Sequence, residues 1–223
     1  MSLPQLCIFD LDGVIVDTAR FHYRAWKKTA GRFGYALTPA QNEALKGVSR
    51  RDSLACILKW AGITLQKDEF DTYCDEKNEM YLHFIKDISP EDALDGVVPF
   101  IRQLKEKGVK IALGSASKNA RTIIEKLGIL PLFDYIVDGT MTTRGKPHPE
   151  VFLLSSNHLD TPPSSAVVFE DAVKGLQAAK KAGMFCIGIG KASELPFADI
   201  VWPDFGDKTA EDLSRCWSKP LTV

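Results

Sequence analysis

The pattern of apolar and polar positions changes character twice along the chain. The first apolar run, Leu6–Phe9, is short and stops at Asp10-Leu11-Asp12-Gly13, which predicts a buried strand that ends in a glycine turn. In residues 18–88 the apolar positions lie three or four apart, and this spacing predicts helices with almost no strand. Helices are predicted over 52–61, before Gly62, and over 68–85, and another starts at Thr38-Pro39.

From residue 90 onward, short apolar runs alternate with amphipathic stretches. Strands are predicted over 109–113, 135–137, 166–169, 185–189 and 200–202, and helices over 97–107, 119–127, 149–158 and 174–182. This alternation is typical of a parallel sheet that helices cover on both faces. Because the first strand needs partners that only this block supplies, we predict an α/β fold in two parts. Residues 1–15 and 90–223 form a Rossmann-like core with a parallel sheet, and residues 16–89 form an inserted helical cap domain.

Composition and charge narrow the class of protein. The 223 residues include 28 basic and 29 acidic side chains, and this near balance argues against binding of nucleic acid, which needs surplus cations. The sequence contains neither an apolar run of about 20 residues nor the features of a secretory signal, so we expect no membrane association. The five cysteines are odd in number and scattered, without a C-x-x-C pair, which predicts reduced thiols and a cytoplasmic location.

Charged and polar residues cluster where the predicted strands end. In an open parallel sheet, ligands bind beyond the carboxyl ends of the strands. The residues at those ends, or in a loop next to them, are Asp10, Asp12, Ser115, Asp138, Lys146, Glu170 and Asp171. Each acid alone could simply cap a helix, but their joint placement predicts a catalytic site.

The residue types in this cluster favour phosphoryl transfer. Packed carboxylates repel each other, and a hard cation such as Mg²⁺ relieves that repulsion with oxygen coordination. Asp10 and Asp12 lie two apart and face the same way from an extended segment, so one can attack while the other handles a proton. A phosphoryl group attacked by a carboxylate needs compensating charge, which Mg²⁺, Lys146 and donors near Ser115 can supply.

Two other kinds of site fit the sequence poorly. A Walker A loop has four residues between its glycines and a hydroxyl after the lysine, whereas Gly139 and Gly145 are separated by five and Lys146 precedes a proline. A glycosidase with paired carboxylates leaves Lys146 and Arg50 without a role.

The segment Asp10-Leu11-Asp12-Gly13-Val14 resembles the D-x-D-x-(T/V) signature of the haloacid dehalogenase superfamily. Ser115, Lys146 in Gly-Lys-Pro, and Glu170-Asp171 are similar to its second, third and fourth motifs, in order and at suitable spacing. The resemblance implies that Asp10 is a nucleophile which forms an aspartyl phosphate, and that Asp12 is the general acid and base. It also implies a Mg²⁺ site built from Asp10, Asp12, Glu170 and Asp171, with the backbone carbonyl of Asp12 as a further ligand.

Within the cap, Leu45-Lys46-Gly47-Val48-Ser49-Arg50 resembles the substrate-specificity loop of the β-phosphoglucomutases. This resemblance implies a phosphorylated hexose substrate and the interconversion of β-glucose 1-phosphate and glucose 6-phosphate through a sugar bisphosphate. Ser115 and Lys146 would hold the transferred phosphate, and Arg50 the distal one, since its guanidinium can form two parallel hydrogen bonds to an anion. The implied substrate-binding residues are Thr18, His22, Trp26, Gly47, Val48, Ser49, Arg50, Ser53, Lys77, Ser115, Ala116, Ser117, Lys118, Asn119 and Lys146.

Several alternatives stay open at this point. A sugar-phosphate phosphatase of the same superfamily would share Asp10, Asp12 and Lys146 and pass the phosphoryl group to water. A phosphosugar-binding regulator is disfavoured, because binding alone requires neither a nucleophile nor a proton donor. Trp26 fits a core position better than a sugar platform, and the hexose and the role of the basic segment 139–148 are undetermined. A monomer is expected, because the cap must move against the core.

Overall fold

The computed structural model describes residues 2–217, and six strands in it form a single sheet. The strands are β1 (Leu6–Phe9), β2 (Lys110–Gly114), β3 (Tyr135–Val137), β4 (Ala166–Glu170), β5 (Phe185–Ile189) and β6 (Ile200–Trp202). Their order is β3-β2-β1-β4-β5-β6, and every neighbouring pair is parallel. This arrangement confirms the predicted Rossmann-like α/β core.

Helices cover both faces of the sheet, as the sequence predicts. The helices are α1 (Ala19–Gly31), α2 (Pro39–Glu43), α3 (Arg50–Ala61), α4 (Lys67–Phe84), α5 (Val97–Glu106), α6 (Ala120–Lys126), α7 (Glu150–His158), α8 (Val173–Lys181) and α9 (Ala210–Trp217). Side chains of β1 alternate between the two faces: Cys7 and Phe9 pack with α5, α6 and α9, whereas Leu6 and Ile8 pack with α7 and α8. β1 is therefore buried on both sides, which explains its continuous apolar run.

Helices α1 to α4 follow β1 and share an apolar cluster of their own, which includes Trp26, Leu54 and Ile57. The two segments that join them to the sheet lie side by side, since Val16 bridges to Ala93. The exact limits of the cap, at 15/16 and 89/90, remain a prediction. Among the helices between residues 2 and 217, none combines the length and apolar character that crossing a membrane requires.

The predicted helix limits are close to those in the structure, with two informative exceptions. Helix α3 begins at Arg50, two residues before the predicted start, because the Ser49 hydroxyl accepts a hydrogen bond from the Asp52 N–H (3.2 Å) and caps the helix. Helix α9 was not predicted, because with eight residues it offers only about two turns of periodic apolar positions. Its start nevertheless has a capping signature, in which Thr209 and Asp212 each accept from the other's backbone N–H.

Candidate active site

A cavity of about 630 Å³ lies between the cap helices and the carboxyl ends of the strands. The structure brings most of the predicted site residues to its wall: Asp10, Asp12, His22, Trp26, Gly47, Val48, Ser49, Arg50, Ser53, Lys77, Ser115, Ala116, Ser117, Lys118, Asn119 and Asp171. The other three predicted residues, Thr18, Lys146 and Glu170, are buried and do not line the cavity. Thr18 donates to the Asp12 carboxylate, and Lys146 donates to those of Asp10 and Glu170.

Lys146 is the buried cation of the site. Its Nζ lies 2.7 Å from Asp10 Oδ1, at the end of β1, and 2.7 Å from Glu170 Oε2, at the end of β4. Burial alone would lower the pKa of Lys146, but the two carboxylates outweigh that effect and raise the pKa above its usual value. Lys146 therefore keeps its positive charge next to the predicted nucleophile.

Three carboxylates converge in a way that fits a divalent cation. Asp10, Glu170 and Asp171 each offer an oxygen, and these oxygens all lie within 4.8 Å of one another. Burial, and then repulsion by Asp10, raises the pKa of both Glu170 and Asp171. Mg²⁺ prefers hard oxygen donors, and its charge relieves the repulsion that makes joint ionisation of these carboxylates unfavourable. Ligation by Asp12 remains a prediction, since the Asp12 carboxylate does not belong to this cluster within residues 2–217.

Two glycines make room for these carboxylates. A Cβ on Gly13, whose φ is +79°, would lie 2.1 Å from Asp171 Oδ2. A Cβ on Gly175 would lie 2.0 Å from Glu170 Oε2. Both distances are far below van der Waals contact, so any larger residue at either position displaces an acid of the cluster.

Asp12 has different surroundings from Asp10, although only Leu11 separates them. Its carboxylate accepts a hydrogen bond from the Thr18 hydroxyl, and its Oδ2 lies 3.9 Å from His22 Nε2. Burial, followed by the charges of Asp10 and Asp171, raises the pKa of Asp12 to about 8. The raised pKa favours the protonated form of Asp12, which can donate its proton as a general acid must.

His22 and Lys77 connect the cap to Asp12. Lys77 Nζ lies 2.8 Å from His22 Nδ1 and 4.6 Å from the centre of the Trp26 ring, although Lys77 is only 3% exposed. Burial, and then the charge of Arg50, lowers the pKa of Lys77 to about 7, and burial lowers that of His22 well below its usual value. A neutral His22 can accept from Lys77 at Nδ1 and present Nε2–H towards Asp12. Trp26 is buried in the cap cluster, as its spacing indicates, and also reaches the cavity wall.

A second group of donors lies on the cavity wall. Arg50 from α3 and Asn119 from the loop after β2 meet at Asn78 of α4, whose Oδ1 accepts from Arg50 Nη2 (2.8 Å) and Asn119 Nδ2 (2.9 Å). The loop itself is ordered by its own hydroxyls, because Ser115 Oγ accepts from the Ser117 N–H (3.1 Å) and Ser117 Oγ accepts from the Asn119 N–H (3.2 Å).

Three residues near the site were missed by the sequence prediction. Lys46 Nζ lies 3.6 Å from Asp171 Oδ2, Asn78 bridges the second donor group, and the Tyr81 ring stacks on His22 with centroids 4.1 Å apart. Lys46 is part of the cap loop singled out above, and Tyr81 lies one helical turn after Lys77, so the helical spacing could have indicated it. Asn78 directly follows Lys77 in a pair that resembles the β-phosphoglucomutases, so the resemblance could have indicated it.

The basic segment 139–148 contributes the Lys146 side chain and part of the cavity wall to the site. Gly139, Thr142, Thr143 and Gly145 line the cavity. The segment is held in place by Glu150, whose carboxylate accepts from the Thr143 N–H (3.1 Å) and the Arg144 N–H (2.8 Å).

Several known proteins are similar to this chain in sequence and in fold. The haloacid dehalogenase-like hydrolase family matches residues 4–183. A β-phosphoglucomutase of Bacillus subtilis is 40% identical over 214 residues, which cover 95% of this chain and 95% of its own. A phosphorylated carbohydrates phosphatase of Thermotoga maritima is 32% identical over 183 residues, 81% of this chain and 82% of its own. The crystal structure of a β-phosphoglucomutase from Clostridium difficile has a TM-score of 0.93 and 37% identity, covering 96% of this chain and 97% of its own.

Proposed function

The chain belongs to the haloacid dehalogenase-like hydrolase family, and from this membership we propose that it is a phosphosugar mutase which interconverts β-glucose 1-phosphate and glucose 6-phosphate. The observation that carries the proposal is that the cavity has two separate groups of phosphate-binding donors. Lys146 lies beside Asp10, and Arg50 and Asn119 form a separate group that meets at Asn78 on the cavity wall. A mutase needs both groups, because its bisphosphate intermediate carries a phosphate at each end.

Asp10 and Asp12 divide the chemistry between them. In the first step, the phosphoryl group on the Asp10 carboxylate passes to the 6-hydroxyl of β-glucose 1-phosphate, and Asp12 accepts the proton of that hydroxyl. In the second step, after the bisphosphate has turned end for end, Asp10 attacks the phosphorus of the 1-phosphate and Asp12 returns the proton to the leaving sugar oxygen, which yields glucose 6-phosphate and regenerates the phosphorylated Asp10. The raised pKa of Asp12, about 8, suits both proton transfers.

The charge of the transferred phosphoryl group is balanced on the side of Asp10. Lys146 supplies one fixed positive charge, and the Ser115 hydroxyl lies at the end of the neighbouring strand β2. We assign Mg²⁺ to Asp10, Glu170, Asp171 and the backbone carbonyl of Asp12, where the bound ion supplies further positive charge against the phosphoryl oxygens.

The cap residues are assigned to the sugar and its distal phosphate. Arg50, Ser117, Lys118 and Asn119 hold the phosphate that is not being transferred. The remaining wall residues of the cap and its hinge contact the hexose or close over it: Thr18, His22, Trp26, Gly47, Val48, Ser49, Ser53 and Lys77. Ala116 lines the same wall from the core.

A phosphatase acting on sugar phosphates is the second candidate, and the similarity to the Thermotoga maritima phosphatase favours it. Such an enzyme would use Asp10, Asp12, Lys146 and Asp171 in the same way and pass the phosphoryl group to water. An assay with β-glucose 1-phosphate, Mg²⁺ and a trace of glucose 1,6-bisphosphate separates the two. We expect glucose 6-phosphate as the product, whereas release of free phosphate in step with substrate loss would establish the phosphatase.

We also place the protein in the cytoplasm and expect it to act as a monomer on a phosphorylated hexose, without nucleic acid or membrane. All five cysteines are free thiols, which supports a reducing compartment.

A further inference from the structure

Asn78 occupies a junction between the cap and the core. It lies on α4 in the cap, and its Oδ1 accepts one hydrogen bond from Arg50 Nη2 on α3 (2.8 Å) and one from Asn119 Nδ2 in the core (2.9 Å). All three residues line the cavity. Two side chains from different parts of the molecule are thus aligned on a single oxygen atom.

The two bonds leave both donors able to bind an anion. An Arg side chain has five N–H donors and an Asn side chain has two, so each partner of Asn78 keeps free N–H groups. Asn78 is neutral, so it orients Arg50 without cancelling its charge. The carboxylate nearest to Arg50, that of Asp75, lies 4.0 Å from Nη1 and is 80% exposed, so water screens it strongly.

We propose that Asn78 is a positioning residue which aligns Arg50 and Asn119 across the boundary between cap and core for the phosphate that is not transferred. The proposal rests on the proposed function, which assigns those two residues to the distal phosphate. It adds a residue that touches the donors rather than the substrate, and it ties binding of that phosphate to closure of the cap on the core.

If Asn78 positions the two donors, its variants bind β-glucose 1-phosphate with a different order of affinities from the one that a packing role would give. Asn78→Ala removes the shared acceptor and frees both donors. Asn78→Asp keeps the shape and both acceptor positions, but places a negative charge beside the phosphate and pairs with Arg50. We expect the Kd of β-glucose 1-phosphate to rise about 10-fold in Asn78→Ala, and further in Asn78→Asp. Glu79→Ala changes the next, exposed residue of α4 and serves as the control, with an unchanged Kd.

Binding is measured by calorimetry on the full-length protein and its three variants, and thermal unfolding of each is recorded alongside. If Asn78 serves only the packing of α4, the nearly isosteric Asp variant binds more like the wild type than the Ala variant does, and the proposal is overturned. Equal affinities in all four proteins overturn it as well. Mutase turnover of the wild type is assayed separately, so a wild type that binds with the predicted order of variants but does not form glucose 6-phosphate refutes the proposed function and leaves the role of Asn78 standing.

Discussion

Single residues in this site take their roles from their neighbours rather than from their identity. Asp10 and Asp12 are the same amino acid at either side of Leu11, yet Asp10 is paired with the buried ammonium of Lys146, whereas Asp12 faces Thr18 and His22. Ion pairing keeps the carboxylate of Asp10 available for attack, and burial raises the pKa of Asp12 to about 8. The first is suited to a nucleophile and the second to a proton donor.

This division predicts that Asp10→Asn abolishes phosphoryl transfer and leaves the fold intact. Asn has the same shape but is a poor nucleophile, and its neutral amide removes one carboxylate from the cluster around Lys146. Turnover of β-glucose 1-phosphate should vanish, while circular dichroism and thermal unfolding show a folded protein. Retention of more than a few per cent of wild-type turnover would exclude Asp10 as the nucleophile.

Arg50 supports a second residue-scale prediction. Its half-buried guanidinium hydrogen-bonds to Asn78 and not to the carboxylates around Lys146, so we assign it to the distal phosphate. Arg50→Ala should reduce mutase turnover roughly 30- to 1,000-fold, on the order of 2–4 kcal/mol, while acetyl phosphate still phosphorylates Asp10. Arg51→Ala is the matched control, since Arg51 at the cavity rim is more exposed and its charge is paired with Asp71, so its loss should have a smaller effect. Near wild-type kinetics in Arg50→Ala would contradict the assignment.

Among the elements, the strands were the most predictable part of the fold, and the physical reason is visible in β1. All four of its residues are fully buried between two helical layers, so the sequence must be apolar throughout. The residues at strand ends were predictable for a related reason, because the topology of a parallel sheet brings those ends to one edge. Helix α9 was missed because it is only eight residues long, although Ala210, Leu213 and Trp217 have helical spacing and its first turn is capped.

Contacts between elements were harder to predict. The bond between Asn78 and Asn119 joins residues 41 positions apart, and that between Lys46 and Asp171 depends on how the cap lies over the core. Periodicity and local motifs specify the elements but not their relative placement. The resemblance to a known family located the cap loop and the pair Lys77-Asn78, but it did not show that Asn78 contacts Arg50 and Asn119.

The turn after β1 provides an element-scale prediction. Gly13 and Gly34 both have positive φ, +79° and +69°, but a Cβ would meet Asp171 at Gly13 and nothing within 4 Å at Gly34. Gly34→Ala should therefore cost only the backbone strain of about 1–2 kcal/mol. Gly13→Ala should cost more or displace Asp171, and in either case weaken Mg²⁺ binding as far as Asp171→Ala does.

Urea unfolding and calorimetric titration with Mg²⁺ measure both effects of these glycine variants. Equal stability losses together with unchanged Mg²⁺ affinity would show that the contact between Gly13 and Asp171 does not shape the site.

On the scale of the whole molecule, the buried acids make stability depend on pH. The pKa values of Asp12, Glu170 and Asp171 are raised, so between pH 5 and 7.5 the folded protein binds more protons on them than the unfolded chain, whose carboxyls titrate near roughly 4. The free energy of unfolding should therefore fall as pH rises through this range. The lowered pKa values of His22 and Lys77 act in the opposite sense, but three acids outnumber these two bases.

Mg²⁺ should flatten this dependence, because the cation stabilises the ionised carboxylates. Melting temperatures in EDTA and in Mg²⁺, recorded across pH 5 to 7.5, test the point. We expect the melting temperature to decline with pH in EDTA and the gain from Mg²⁺ to increase with pH. A Mg²⁺ effect that is independent of pH would mean that Glu170 and Asp171 do not bind the cation.

In the proposed mutase, the donors beside Asp10 and the group that contains Arg50 retain both ends of a sugar bisphosphate, so that the phosphoryl group returns to sugar and not to water. Phosphorus NMR of a single sample containing the wild-type protein, β-glucose 1-phosphate and Mg²⁺ follows both fates at once. We expect a trace of glucose 1,6-bisphosphate to accelerate formation of glucose 6-phosphate, while inorganic phosphate stays near its background level. Inorganic phosphate that accumulates in proportion to the substrate consumed, with or without the bisphosphate, would contradict it.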